Sequence, residues 1–258
     1  MYEQAQLLRE VLDTPDADQP RSRYADCIEA AGDGGRAAFI RIQLEEARLL
    51  RAGIPVPNEL VSAAVRLENA HGRDWVAPIR ERVVAAHFYR GFVEHIEIDA
   101  ATFLEKAPEL YALAPIRRLT LREPAPVLPQ LCNSPHLDRI VSLELQAIRQ
   151  RFDDEGLRQI YSSPHMQRLV YLGLDGNRVT EAGVEALAAS GALPNLRELE
   201  LRSTPAKALA EYVEDDAGLV LDAYGSAGAA AIDAKYGRKT WLHPVEDNQR
   251  RRLDSGGF

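Results

Sequence analysis

The chain has 258 residues, 46% hydrophobic and 27% charged, an ordinary globular composition with enough apolar residues for a sizeable core. Its 31 basic and 39 acidic side chains leave a formal charge of −8, which argues against non-specific nucleic-acid or anionic-membrane binding and is compatible with a basic partner. Met1-Tyr2-Glu3-Gln4-Ala5-Gln6 is neither basic nor apolar, no apolar run approaches ~18 residues, and only Cys27 and Cys132 are present, so the expectation is a cytoplasmic protein without a disulfide framework.

Residues 1–90 read as helices divided by glycine and proline. Leu7, Leu8, Val11 and Leu12 make one apolar stripe ending before Thr14-Pro15, and Pro20 opens a second helix that stops at Gly32. A third begins near Gly35-Arg36, with Phe39, Ile40, Leu44 and Ala47 buried and Arg36, Arg41, Glu45 and Arg48 wet. Asn58 caps a fourth, whose apolar face is Leu60, Val61, Ala64, Val65 and Leu67 and whose end is His71-Gly72. The charged residues have a plain structural reading: Asp16 and Asp18 cap a helix, Arg21 pairs with Asp26, and Asp33 caps the next helix.

In this module stand Asp16-Ala17-Asp18-Gln19-Pro20-Arg21-Ser22-Arg23-Tyr24-Ala25-Asp26, then Gly32-Asp33, then Phe39-Ile40-Arg41-Ile42-Gln43. Trp75-Val76-Ala77-Pro78 and Arg90-Gly91-Phe92-Val93-Glu94 follow. The series resembles the repeat-companion domain that precedes leucine-rich repeats in many bacterial proteins, with its D-x-P-R-x-x-Y-A-D-W, G-D and E-F-I-R-x-Q. Cys27 stands where that pattern has tryptophan, which implies a locally thinner core. The resemblance carries no activity with it.

From residue 91 the period changes to that of short strands. Leu169-Val170-Tyr171-Leu172-Gly173-Leu174-Asp175-Gly176-Asn177 satisfies L-x-x-L-x-L-x-x-N, and Leu196 to Leu201 repeats the leucines with Thr204 in place of the asparagine. Aligning the middle leucines gives Leu119, Leu143, Leu172 and Leu199; weaker copies lie at Val93-Glu94-His95-Ile96-Glu97-Ile98 and Leu219-Val220-Leu221, making about six strands. Between them, Asp153 to Tyr161 and Thr180 to Ala189 have helical spacing, with Thr180 able to cap. The units resemble ribonuclease-inhibitor-like leucine-rich repeats, matched at Gly156 and Gly183. The expected fold is therefore α/β: a short leucine-rich-repeat solenoid, with a parallel concave sheet and helices on its convex side, after a small all-α domain. The expected boundaries are 1–90 for the helical domain, 91–222 for the repeats, and 223–258 for a C-terminal cap and tail.

Catalytic and metal-binding patterns are absent from the sequence. The six histidines form no H-E-x-x-H or other short ligand pair; His136 and His165 each follow a proline at one repeat position and read as a polar loop ladder. Neither cysteine has a histidine placed by a known motif, and Asp175-Gly176-Asn177 is a repeat turn rather than a calcium loop. No cofactor, no metal and no enzymatic activity are expected.

The residues beside the inward leucines form the outward face. Its central column reads Glu97, Thr120, Glu144, Gly173, Glu200 and Val220; His95, Arg118, Ser142, Tyr171, Glu198 and Gly218 lie before it, and Asp99, Arg122, Gln146, Asp175, Arg202 and Asp222 after it. The centre is acidic and the arginines lie toward the rim. Arg118, Arg122, Glu144, Tyr171, Glu198, Glu200 and Arg202 are the expected partner-binding residues, with Tyr171 as an anchor beside a notch at Gly173. In the tail, Gly225 to Ala234 reads as a capping helix and Tyr236, Trp241 and Leu242 as a fold-back. Lys235, Arg238, Lys239 and Arg250 to Arg252 stand there against Glu246 and Asp247, without the aromatic interleaving of a nucleic-acid site. The expected function is a non-enzymatic protein- or peptide-binding scaffold. The alternatives are an accessory subunit of an enzyme complex, or an inhibitor or immunity-type protein for a toxin or enzyme.

Overall fold

A computed structural model describes residues 2–201, 204–206, 210–214, 220–224, 227–239 and 241. The architecture is α/β, with a six-stranded, mostly parallel sheet and helices. No helix among the described residues is long and apolar enough to cross a membrane. These residues fall into two compact units: residues up to Glu97 with Lys106–Arg117, and Ile98–Glu105 with the residues from Arg118 onward.

The first unit begins with four helices, α1 (Tyr2–Asp13), α2 (Gln19–Ala30), α3 (Gly34–Arg51) and α4 (Asn58–Val76). Val11 of α1, Ala25 and Ile28 of α2, and Ala37 and Ile40 of α3 form a shared core with Phe92. Asp33 caps α3 as expected, its carboxylate accepting from the Arg36 amide at 3.0 Å. Asn58, by contrast, lies inside α4, and the cap position belongs to Pro57. The helix also runs past His71-Gly72, because Trp75 packs on Phe39 at 4.8 Å between ring centroids and on Phe88 at 5.9 Å. That packing offsets the ~1 kcal/mol cost of an internal glycine. Val61 and Val65, expected in the core, are exposed, and Ala64 is the buried residue of that stripe.

The stretch read as wholly helical ends in a strand, β1 (Ala85–Tyr89), antiparallel to β2 (Phe92–Asp99). The turn between them places Arg90 (φ 48°) and Gly91 (φ 82°) in the left-handed region, the requirement of a two-residue hairpin loop. A Cβ on Gly91 would lie 2.6 Å from the Ile40 Cα, so only glycine lets α3 approach. The Gly91 amide donates to Gln43 Oε1 at 2.8 Å. One extra residue interrupts the hairpin: Phe88 faces Val93, yet His87 faces His95, which leaves Glu94 as a bulge.

In the second unit, β3 (Arg118–Arg122), β4 (Ser142–Gln146), β5 (Tyr171–Gly173) and β6 (Glu198–Glu200) are parallel neighbours. Leu119 pairs with Leu143, Leu143 with Leu172, and Leu172 with Leu199, and all four are buried. Strand alternation sets this pattern, since residues i and i+2 share a face. The helices Asp154–Ser162 and Glu181–Ser190 bury Leu157, Ile160, Val184, Leu187 and Ala188. The turn after β5 is tied by Asn177, whose amide nitrogen donates to the carbonyls of Leu145 (2.9 Å) and Leu174 (3.2 Å), while its oxygen accepts from the Phe152 amide at 3.3 Å. At the next turn the Thr204 hydroxyl donates to the Leu201 carbonyl at 2.7 Å.

The Thr180 hydroxyl does not cap its own helix; it donates to Asp154 Oδ2 at 2.6 Å, and the Thr180 amide donates to Oδ1 at 2.7 Å. A Cβ on Gly183 would lie 2.2 Å from Asp154 Oδ1, which accounts for the glycine where these two helices meet. The strand expected at Leu219-Val220-Leu221 does not continue the parallel series. Residues Val220–Tyr224 (β8) instead pair antiparallel with Ala210–Glu214 (β7) in a separate two-stranded sheet. A partner nearby in sequence closes a shorter loop than a further crossover would. Leu219 itself is outside the described residues.

Candidate binding face

The strand register brings the expected site residues of the second unit into two adjacent rows on one face. One row is Arg118, Ser142, Tyr171 and Glu198; the other is Thr120, Glu144, Gly173 and Glu200, with Arg122 opposite Gln146 beyond them. Glu144 is held from both sides. Its Oε2 accepts from the Thr120 hydroxyl at 3.1 Å, and its Oε1 accepts from Gln146 Nε2 at 2.8 Å. The Tyr171 hydroxyl donates to Glu200. Burial, together with the nearby Glu200 and Glu144 carboxylates, pushes the Tyr171 phenol well above its ordinary pKa, so it stays a donor.

The face differs from expectation in its depth. Tyr171 is 9% exposed, and Arg118, Thr120 and Ser142 are likewise buried, leaving Glu144, Glu198, Glu200 and Arg122 half-buried as its accessible charged groups. The expected notch at Gly173 is filled from within: a Cβ there would lie 2.9 Å from the Tyr171 hydroxyl and 3.0 Å from Glu144 Cγ. Tyr171 and Gly173 share a face two residues apart, so the ring lies down over the glycine. Arg202, Gly218 and Leu242 lie outside the described residues.

The remaining candidate chemistry resolves into structural contacts. Burial pushes the Cys132 thiol up to about 11, which suppresses the thiolate form. His165 Nδ1 lies 2.9 Å from Asp138 Oδ1, while the hydroxyls of Ser134 and Ser163 accept from the amides of His136 and His165. Among the described residues no group of three or more His, Cys, Asp or Glu could hold a metal.

The charged motif of the first unit forms a closed ionic cluster. Arg21 pairs with Glu94 at 2.8 Å rather than with Asp26, and both side chains are fully buried. Arg90 donates to both Glu94 oxygens (3.0 and 3.1 Å), to Asp18 Oδ1 (2.9 Å), and to the carbonyls of Pro15 (2.6 Å) and Asp16 (3.0 Å). Asp18 makes no side-chain cap; it also pairs with Arg51, and Asp16 pairs with Arg117. Asp26 joins Glu29 on Arg41 instead. Next to this cluster the Arg36 guanidinium carbon sits 4.5 Å from the Trp75 ring centroid and 5.2 Å from that of Phe88. Backbone carbonyls and neighbouring charges occupy the donors of Arg90, so the cluster is built to hold helices and hairpin together.

The bulge at Glu94 is what sequence reasoning missed, although Arg90-Gly91 between two apolar-aromatic runs signals the hairpin. Comparison with protein-family profiles, curated proteins and solved structures finds no match.

Proposed function

We propose that the chain is a non-enzymatic leucine-rich-repeat protein with an N-terminal repeat-companion domain, which binds a protein or peptide in the cytoplasm on the outward face of β3–β6. The observation that carries this reading is the unbroken register of Leu119, Leu143, Leu172 and Leu199. With the leucines inward, every intervening side chain faces the other way. Asn177 bonding across two successive turns supports the repeat assignment, because that is what a stacked unit needs to satisfy its backbone.

Glu144, Glu198 and Glu200 favour a partner that presents lysine or arginine. Arg122, Arg118 and Tyr171 border and support the strip, and Arg202 belongs to the same proposed set. Affinity capture from the native cell with wild type and a Glu144→Lys/Glu198→Lys/Glu200→Lys variant tests the assignment. Wild type is expected to retain a partner that the folded variant loses at least tenfold; equal recovery removes this face from consideration.

A further inference from the structure

We infer that the cavity between α2 and α3 is a binding site for a phosphate monoester. Its volume is about 260 Å³, and three arginines line it, Arg41, Arg48 and Arg51. Leu44 and Glu45 stand between them, and intervals of three or four residues bring all five to one side of α3. Asp18 and Ser22 line it from the start of α2.

The ion pairs around the cavity leave donors over. Arg41 uses Nη2 on Asp26 and Glu29, Arg51 uses Nη2 on Asp18, and Arg48 uses Nε and Nη2 on Glu45. Among the described residues, Nη1 of all three and Nε of Arg41 and Arg51 make no hydrogen bond. Arg41, Arg48 and Arg51 are 40%, 57% and 54% exposed, so a dissolved anion reaches them. Asp18 does not fully neutralise Arg51, because its other oxygen accepts from the buried Arg90 at 2.9 Å and one carboxylate serves two cations. Glu45 holds Arg48 only through an exposed pair three residues away, a weak kind of ion pair that a doubly charged ligand displaces.

Three guanidinium groups call for an acceptor with more than two oxygens. A phosphate monoester brings three oxygens and a charge of about −2, whereas a carboxylate brings two oxygens and a single charge. Ser22, whose hydroxyl reaches the Asp18 carbonyl only at 3.4 Å, supplies another donor. Half-buried Leu44 supplies apolar surface for the carbon next to the ester oxygen. A drug-sized ligand needs a pocket of roughly 300–1,000 Å³, so this one takes the phosphate and a short stem, either as a free small molecule or as a phosphorylated side chain. The site is independent of the function proposed for β3–β6.

Calorimetric titration of the full chain with glycerol 3-phosphate, with a short peptide carrying one phosphoserine, and with malonate tests the site. One phosphate probe per chain is expected, with a Kd below ~1 mM and at least tenfold tighter than malonate. A peptide no tighter than glycerol 3-phosphate makes the ligand a small phosphate ester, and a peptide at least tenfold tighter makes it a phosphorylated protein segment. Arg48→Gln and Arg51→Gln should each weaken binding at least tenfold, and Arg158→Gln, at an exposed pair in the second unit, should leave it unchanged, with melting curves reporting whether each variant folds. Glu45→Gln frees Arg48 and should tighten binding about threefold, which a merely structural role for these arginines would not produce. Absence of saturable binding below ~1 mM for both phosphate probes, malonate binding as tightly as glycerol 3-phosphate, or a folded Arg48→Gln/Arg51→Gln variant that binds within threefold of wild type would each overturn the site.

Discussion

Glu94 Oε1 forms an ion pair with Arg21 Nη2 at 2.8 Å, with neither side chain reaching solvent. The two residues come from α2 and from the bulge of β2, so this contact joins the helical bundle to the hairpin. Replacing one member of a buried pair leaves the other charge unmatched, at a typical cost of ~3–5 kcal/mol. Glu94→Gln keeps the shape and removes the charge from beside both Arg21 and Arg90. Its urea midpoint should fall by an amount corresponding to about 3 kcal/mol with an unchanged slope, whereas Glu29→Gln, at an exposed pair with Arg41, should leave the midpoint unmoved. A Glu94→Gln midpoint matching wild type would mean that the cluster does not hold the unit together.

Glu46 on α3 is pushed up to about 7, first by burial and then by the nearby Glu68 carboxylate on α4, which is itself raised by burial. A carboxyl that holds its proton more tightly when folded makes stability fall as pH rises from its unfolded value, near 4.5, through about 7. Glu46→Gln should therefore raise stability by about 1 kcal/mol at pH 8, a figure reduced for the solvent that reaches this half-buried group, and by nothing measurable at pH 4. Denaturant melts at the two pH values check the sign; equal shifts at both would disprove the titration.

Tyr171 keeps its proton because its ring is buried and its hydroxyl faces carboxylates. Alkaline difference spectra at 295 nm should therefore show equal phenolate amplitude for wild type and Tyr171→Phe until unfolding begins. Loss of the donor to Glu200 should cost Tyr171→Phe about 1 kcal/mol. A smaller phenolate amplitude for the variant below unfolding would show that Tyr171 titrates freely and that its hydroxyl is not held.

Much of the fold was legible in short windows. The phase of Leu119, Leu143, Leu172 and Leu199 follows from strand alternation, and the paired rows of the β3–β6 face follow from that phase. The glycines at 156 and 183 could be matched by position, but not the reason for them, since that lies in atoms of Phe152 and Asp154. The same holds for Tyr171. Its place on the outward face was predictable, while its burial and its position over Gly173 depend on packing around it.

The charged motif marks the division most clearly. By itself the sequence determined that the first 76 residues divide into four helices and which strand residues alternate inward, while it misplaced helix caps at Asn58 and Thr180 and misread Asp18 as a cap and Asp26 as the partner of Arg21. Only the tertiary structure decided their partners, because Arg21 meets the Arg90 carbonyl 69 positions away and a one-residue bulge selects Glu94 for the core and His95 for His87. Periodicity is a local property of the backbone and needs no knowledge of the rest of the chain. Which charges neutralise one another depends on the segments that desolvation drives together, and that is settled only when the whole unit has closed.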